Sequence, residues 1–165
     1  MCIRDSNESV VNIQGRATQG SRAMKLLPGD SITQILLVNK NDDDKLLVMT
    51  TGGYAKATSL KEYKAFDNKS VRGYAVIKKS AVAKNGSIVG AVVAREGKTL
   101  LMVTEKGNIL CIDSQTIKAT GRTTSGIRAA KLASNDAIVK IAAVDKIEGV
   151  APSTATGCDF PDGKI

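Results

Sequence analysis

Gly15-Arg16-Ala17-Thr18-Gln19-Gly20-Ser21-Arg22-Ala23-Met24-Lys25-Leu26 is answered near the other end of the chain by Gly121-Arg122-Thr123-Thr124-Ser125-Gly126-Ile127-Arg128-Ala129-Ala130-Lys131-Leu132. Eight of the twelve positions are identical across a separation of 106 residues, which marks the chain as repeats of one unit. Each copy is a glycine-bounded polar loop carrying two arginines, followed by a short run that ends Lys-Leu. Glycine admits turns that other residues resist, and the arginines then stand at fixed places around the turn.

Downstream of the first box, Leu27-Pro28-Gly29-Asp30 reads as a turn and Ile32 to Val38 as a strand. Asn39 to Asp44 is a polar loop, and Leu46 to Thr50 is the next strand. Gly52-Gly53 supplies the tight hairpin that returns the chain as Tyr54 to Thr58. The second unit repeats this order with Ile88 to Val93, Leu100 to Thr104, the turn Lys106-Gly107-Asn108 and Ile109 to Ile112. The third offers Ala137 to Val144 before the pattern stops. No helical stripe of useful length competes with these strands, so the pattern is all-β.

The spacing contains one irregularity. Leu47 to Leu101 and Tyr63 to Ile117 are both offset by 54, whereas Arg72 to Arg128 is offset by 56. The middle box, Asp67-Asn68-Lys69-Ser70-Val71-Arg72, is therefore short and keeps its second arginine without its first, while Lys78 to Gly86 is lengthened in exchange.

A chain of 165 residues can hold one real core or part of a longer repeat array. Its net charge of +8 favours a polyanionic partner. With no histidine, it lacks the commonest general base and the usual ligand of catalytic zinc. Aromatic residues at 3% are too few for the stacking platforms of single-strand binders. Three cysteines without metal-ligand spacing fit a reduced intracellular protein, and no apolar run is long enough to span a membrane.

The two ends stand apart from the repeats. Met-Cys-Ile-Arg-Asp-Ser, residues 1–6, is what ATGTGTATAAGAGACAG plus one pyrimidine encodes, which resembles the mosaic end of a transposon-based sequencing adapter. Read-through is the expectation, with natural sequence beginning near Asn7 and the repeats occupying 7–144. From Asp145 to Ile165 the composition is that of a loose tail.

Recurrence of arginine at one place in a basic chain points to phosphate contact by Arg16, Arg22, Arg72, Arg122 and Arg128, since the guanidinium fork meets phosphate oxygens bidentately. The alternative is that the glycines shape turns which these arginines merely solvate. Lys25, Lys78 and Lys131 recur just beyond the second arginine and are candidates for the same role. Asp42-Asp43-Asp44 lacks the spaced ligands of a calcium loop and reads as a solvated turn, so no metal site is expected. Cys111 reads as a packed core thiol, and Met24, Met49 and Met102 as core residues. Gly52-Gly53 precedes no helix and is not a nucleotide fingerprint.

Repeats of about fifty residues, each with a G-R-x-x-x-G-x-R box, strands and a glycine hairpin, resemble the C-terminal domain of the gyrase A subunit, and that of the related A-type subunit of topoisomerase IV. The resemblance covers Val10 to Val144 and rests on the 15–22 and 121–128 boxes, on Leu46 to Thr50 with Gly53, and on Leu100 to Thr104 with Gly107. It implies a propeller-like β-pinwheel, with about two to three blades of a larger six-bladed ring here. It also implies non-sequence-specific binding and wrapping of duplex DNA, supporting ATP-dependent supercoiling by the holoenzyme. The implied partners are duplex DNA, the B subunit, and the remainder of the A subunit, in the bacterial cytoplasm and away from membranes. ATP and Mg would serve the parent type II topoisomerase, with no cofactor in this piece. The Q-R-R-G-G-K-G box of gyrase is missing, and so is the catalytic tyrosine motif; Tyr54, Tyr63 and Tyr74 all lie inside the repeats, so no catalytic residue is assigned. Two further readings stand beside this one: a topoisomerase IV domain that steers DNA geometry, and a propeller-type protein-interaction scaffold with an incidentally basic surface.

Overall fold

Leu46 to Met49 is an unbroken apolar run, the pattern of a strand covered on both faces. The computed structural model, which describes residues 2–39, 44–67 and 71–146, bears this out. Its strands are β1 (Cys2–Ile3), β2 (Lys45–Thr50), β3 (Tyr54–Ser59), β4 (Tyr74–Ala75), β5 (Ile88–Ala94), β6 (Lys98–Thr104), β7 (Ile109–Asp113), β8 (Ile127–Arg128) and β9 (Ile138–Asp145), with one helix, α1 (Lys79–Asn85). On one face of β2, Leu47 and Met49 join Ala55, Val92, Leu100 and Met102 in a core shared by two sheets. On the other, Leu46 and Val48 pack with Leu60, Tyr63, Val76 and Ile77.

The sheets do not coincide with the sequence repeats. One sheet runs β5-β2-β3-β8 and a second runs β7-β6-β9. The hairpin β2–β3 comes from the first unit, its outer partner β5 from the second, and the two-residue strand β8 from the box of the third. The second sheet follows the same rule as far as it goes: hairpin β6–β7 takes β9 from the next unit. Both hairpins turn on a left-handed glycine, Gly53 at φ +77° and Gly107 at φ +82°, whose amides bond back to Thr50 and Thr104. Both return strands end in a 3-10 turn, capped by the side chains of Ser59 and Asp113, that delivers Tyr63 or Ile117 to a core. The offset of 54 between those two residues is thus a repeat of structure as well as of sequence.

Several expectations are corrected. Ile32 to Val38 forms no strand, although its pattern matches that of β5. The first strand of each described hairpin, β2 or β6, already has its outer side filled, by β5 and by β9, so this segment has no edge of that kind to join. Instead Gln34 accepts a hydrogen bond from the Ala91 amide at the margin of β5, and Ile35 and Leu37 are exposed. The lengthened stretch after Lys78 is helical, giving α1. Asp44 is buried, not solvated, and Arg95 meets its carboxylate bidentately at 2.9 and 3.0 Å; Asp42 and Asp43 lie outside the described residues. Cys111 is buried as expected. Met49 and Met102 are in the core, whereas Met24 is only half-buried. Residues 2 and 3 pair with Ala75 and Tyr74. Residues 147–165, most of the expected tail, lie outside the described residues.

Candidate nucleic-acid interface

The two full boxes fold into the same turn, and their own residues dictate it. In the first, the Thr18 amide and hydroxyl both donate to the Gly15 carbonyl, at 3.2 and 2.8 Å. In the second, Thr124 does the same to Gly121, at 3.4 and 3.2 Å. Two residues later the chain swings through a left-handed glycine, Gly20 at φ +80° and Gly126 at φ +81°, a region costly to residues with a Cβ. The shared threonine and glycines are therefore the local instructions for the loop.

The surroundings of the two loops differ. The 15–22 loop is exposed throughout, and a Cβ on Gly15 or Gly20 would meet nothing within 4 Å. The 121–128 loop is seated against the β2–β3 hairpin. The Thr120 amide donates to Ala57, and the Ala129 and Ala130 amides donate to Gly53. From the C-terminal end of α1, the Asn85 side-chain amide donates to the Ser125 carbonyl at 2.9 Å. A Cβ on Gly126 would stand 2.8 Å from the Ala55 carbonyl, so only glycine permits this approach.

Each arginine of the seated box lies over a tyrosine. The Arg122 guanidinium is 4.3 Å from the centre of the Tyr74 ring, itself packed on Phe66, and it donates to the Glu62 carbonyl at 3.3 Å. Arg122 is half-buried, and its Nε has no hydrogen-bond partner among the described residues. Arg128 is exposed; its guanidinium lies 5.5 Å from the centre of the Tyr54 ring and donates to the Tyr54 hydroxyl at 3.2 Å. Cation–π contact and a single hydrogen bond fix the direction of that guanidinium while leaving other donors directed to solvent. The two arginines thus have different jobs: Arg122 is largely spent on the fold, and Arg128 is held out from it.

Beneath the box lies a residue that the sequence pattern conceals. Lys56 is 2% exposed, on the face of β3 opposite Val48, and its ammonium donates to the carbonyls of Val76 and Arg122. Burial, reinforced by the charge of Arg122 and opposed by that of Glu62, presses its pKa down to about 8. In the sequence it is one lysine between two alanines of an alternating strand, which reads as solvent-facing.

The remaining candidates are scattered over the surface. Arg16, Arg22, Lys25, Arg72, Lys78 and Lys131 are all exposed. Of these, Lys25 and the segment of Arg72 are brought together, because the Lys25 amide donates to the Val71 carbonyl at 3.2 Å. Residues 68–70 of the middle box lie outside the described residues, and Lys78 precedes α1 without capping it through its side chain. Among the described residues, no cluster of three or more acidic, cysteine or histidine side chains could hold a metal ion. No helix among them is long and apolar enough to cross a membrane.

A family model described as the DNA gyrase C-terminal domain, β-propeller, matches residues 6–39, 44–95 and 98–145. The chain belongs to this family. Within the gyrase C-terminal domain family, the chain is 29% identical to the DNA gyrase A subunit of Mycolicibacterium smegmatis over 161 residues, 95% of the chain but only 18% of that relative. The solved C-terminal domain of a DNA topoisomerase IV superposes with a TM-score of 0.74 at 28% identity, over 84% of this chain and 42% of that one. A solved DNA gyrase A C-terminal domain gives 0.72 at 29% identity, over 83% and 45%. The β-propeller expectation therefore holds, and the two sheets are blades of it.

Proposed function

We propose that this chain binds duplex DNA through its phosphate backbone, without regard to sequence, as part of the wrapping domain of a gyrase A subunit. The observation that carries the reading is the seated box. It holds an exposed guanidinium, Arg128, in a fixed direction at the sheet margin of a chain with a net charge of +8. A pre-oriented guanidinium loses less side-chain entropy when it meets a phosphate, and non-specific affinity is mainly the release of counterions by such contacts. Arg16, Arg22, Arg72, Lys25, Lys78 and Lys131 add exposed positive charge along the same chain. Arg122 contributes chiefly by holding the loop.

In this reading the parent is a bacterial type II topoisomerase of the cytoplasm. Its B subunit, ATP and Mg would act outside the present chain, and the wrapped duplex would set the geometry of strand passage. The two solved domains superpose with TM-scores of 0.74 and 0.72, so a topoisomerase IV parent is equally compatible with the fold.

The test is a titration of mixed-sequence duplex across a salt series. Contact with about four phosphates gives a log–log slope near −3.6, at about −0.9 for each. A slope near zero, or strong preference for one sequence, would refute DNA wrapping and leave the protein-interaction scaffold.

A further inference from the structure

The second box is gripped from below by a charged side chain that no phosphate could reach without displacing the loop. We propose that Lys56 is a positioning residue for DNA contact: by bonding the Arg122 and Val76 carbonyls together, it fixes the loop that aims Arg128. The inference rests on the DNA-binding reading above.

Five observations carry it. Lys56 is 2% exposed, so its charge is not available to a ligand. Its acceptors belong to two segments otherwise distant in sequence, Val76 ahead of α1 and Arg122 inside the box. The box residue it holds is the one whose side chain is already fixed over Tyr74. The charged groups that bear on it are Arg122, which repels it, and Glu62, which attracts it. A buried ammonium beside a guanidinium is a desolvation cost to the fold, so an apolar side chain of similar length in its place need not lower stability. Among the described residues the 15–22 box has the same turn and no such underpinning, which separates the local shape of the loop from its fixed attitude.

The experiment compares the intact 165-residue chain with Lys56→Met and Arg128→Ala. The readouts are amide exchange at Thr120 and Ala129, melting temperature, and affinity for mixed-sequence duplex. Lys56→Met should speed exchange at the box amides by about tenfold, the loss of one charge-assisted hydrogen bond. Exchange in β2 and β6 should stay as it was, and the melting temperature should be unchanged or higher while DNA affinity falls. A merely structural lysine would lower stability and affinity together. If Lys56→Met loosens the box but neither substitution alters DNA affinity, the positioning role stands and the DNA-binding reading fails. Unchanged exchange at Thr120 and Ala129, or uniform loosening with a lower melting temperature, would overturn the proposal. Should Lys56→Met not fold, the ammonium signal of Lys56 in the unsubstituted chain decides. A narrow, slowly exchanging resonance is expected, and one like those of surface lysines refutes the clamp.

Discussion

Adding a single methyl group to each full box separates local shape from docking. Gly20→Ala and Gly126→Ala impose the same backbone penalty, because φ is +80° at one and +81° at the other. That penalty is about 1 to 2 kcal/mol for a residue with a Cβ in the left-handed region. At Gly20 nothing lies within 4 Å, and the exposed loop can relax, so the cost should sit at or below that range. At Gly126 the methyl would stand 2.8 Å from the Ala55 carbonyl, and that oxygen belongs to the strand on which β8 is paired. Backbone there cannot yield without opening the short β3–β8 ladder, which pairs Tyr54 with Arg128 and Ala55 with Ile127. Losing two hydrogen bonds at about 1 kcal/mol each brings the total to roughly 3 to 4 kcal/mol. For a chain of this size each kcal/mol moves the melting midpoint by about 3 °C, so Gly126→Ala should lose ~10 °C and Gly20→Ala ~3 °C. Scanning calorimetry on the two variants and the parent measures this directly. Equal losses would mean that the second box is no more anchored than the first.

Arg122→Ala should lower stability by about 1 to 2 kcal/mol through loss of the Tyr74 stack and the Glu62 bond, whereas Arg128→Ala should leave the urea midpoint in place and flatten the salt slope of DNA binding by ~1. The Asp136 carboxyl is held below its ordinary 3.8: partial burial pushes the other way but is outweighed by hydrogen bonds from Thr104, the Lys106 and Ala137 amides and Asn108. A depressed carboxyl gives stability above its unfolded value and loses it as pH falls through the folded one, so Asp136→Asn should flatten the loss of stability below about pH 4 in acid titrations. Strand β7 pairs only with β6 among the described residues and leaves Ile109 41% exposed at a free edge; Ile109→Lys should raise the soluble fraction after heating and cooling, read by light scattering, without lowering the midpoint.

What the sequence disclosed was the part fixed by neighbours in the chain. Leu46 to Thr50, Gly53 and Tyr54 to Thr58 determine a hairpin among themselves, through alternation and one left-handed turn, and the same holds around Gly107. The boxes were visible because Gly15 with Thr18, and Gly121 with Thr124, close their own turns. What stayed hidden depends on residues far away. Ile32 to Val38 and Ile88 to Val93 have the same pattern, and only a partner in the first strand of a hairpin, β2 for Ile88 to Val93, decides that one becomes β5 and the other does not. Lys56 and Asp44 read as solvent-facing because polar residues usually are, until Arg122 and Arg95 supply the contacts that take them inside. The tyrosines beneath Arg122 and Arg128 lie 48 and 74 residues away in sequence, beyond any local pattern.

The phase difference between repeat and blade bears on how such a chain can be inherited. One sheet here draws its four strands from three successive units, so no cut at a repeat boundary releases a finished sheet. Duplicating or exchanging a single unit alters the margins of sheets on both sides of it, and each new margin must fit an old one. Lineages of these rings are therefore expected to change by substitution and short deletion within boxes, as the shortened 67–72 copy illustrates, more readily than by gaining or losing one unit.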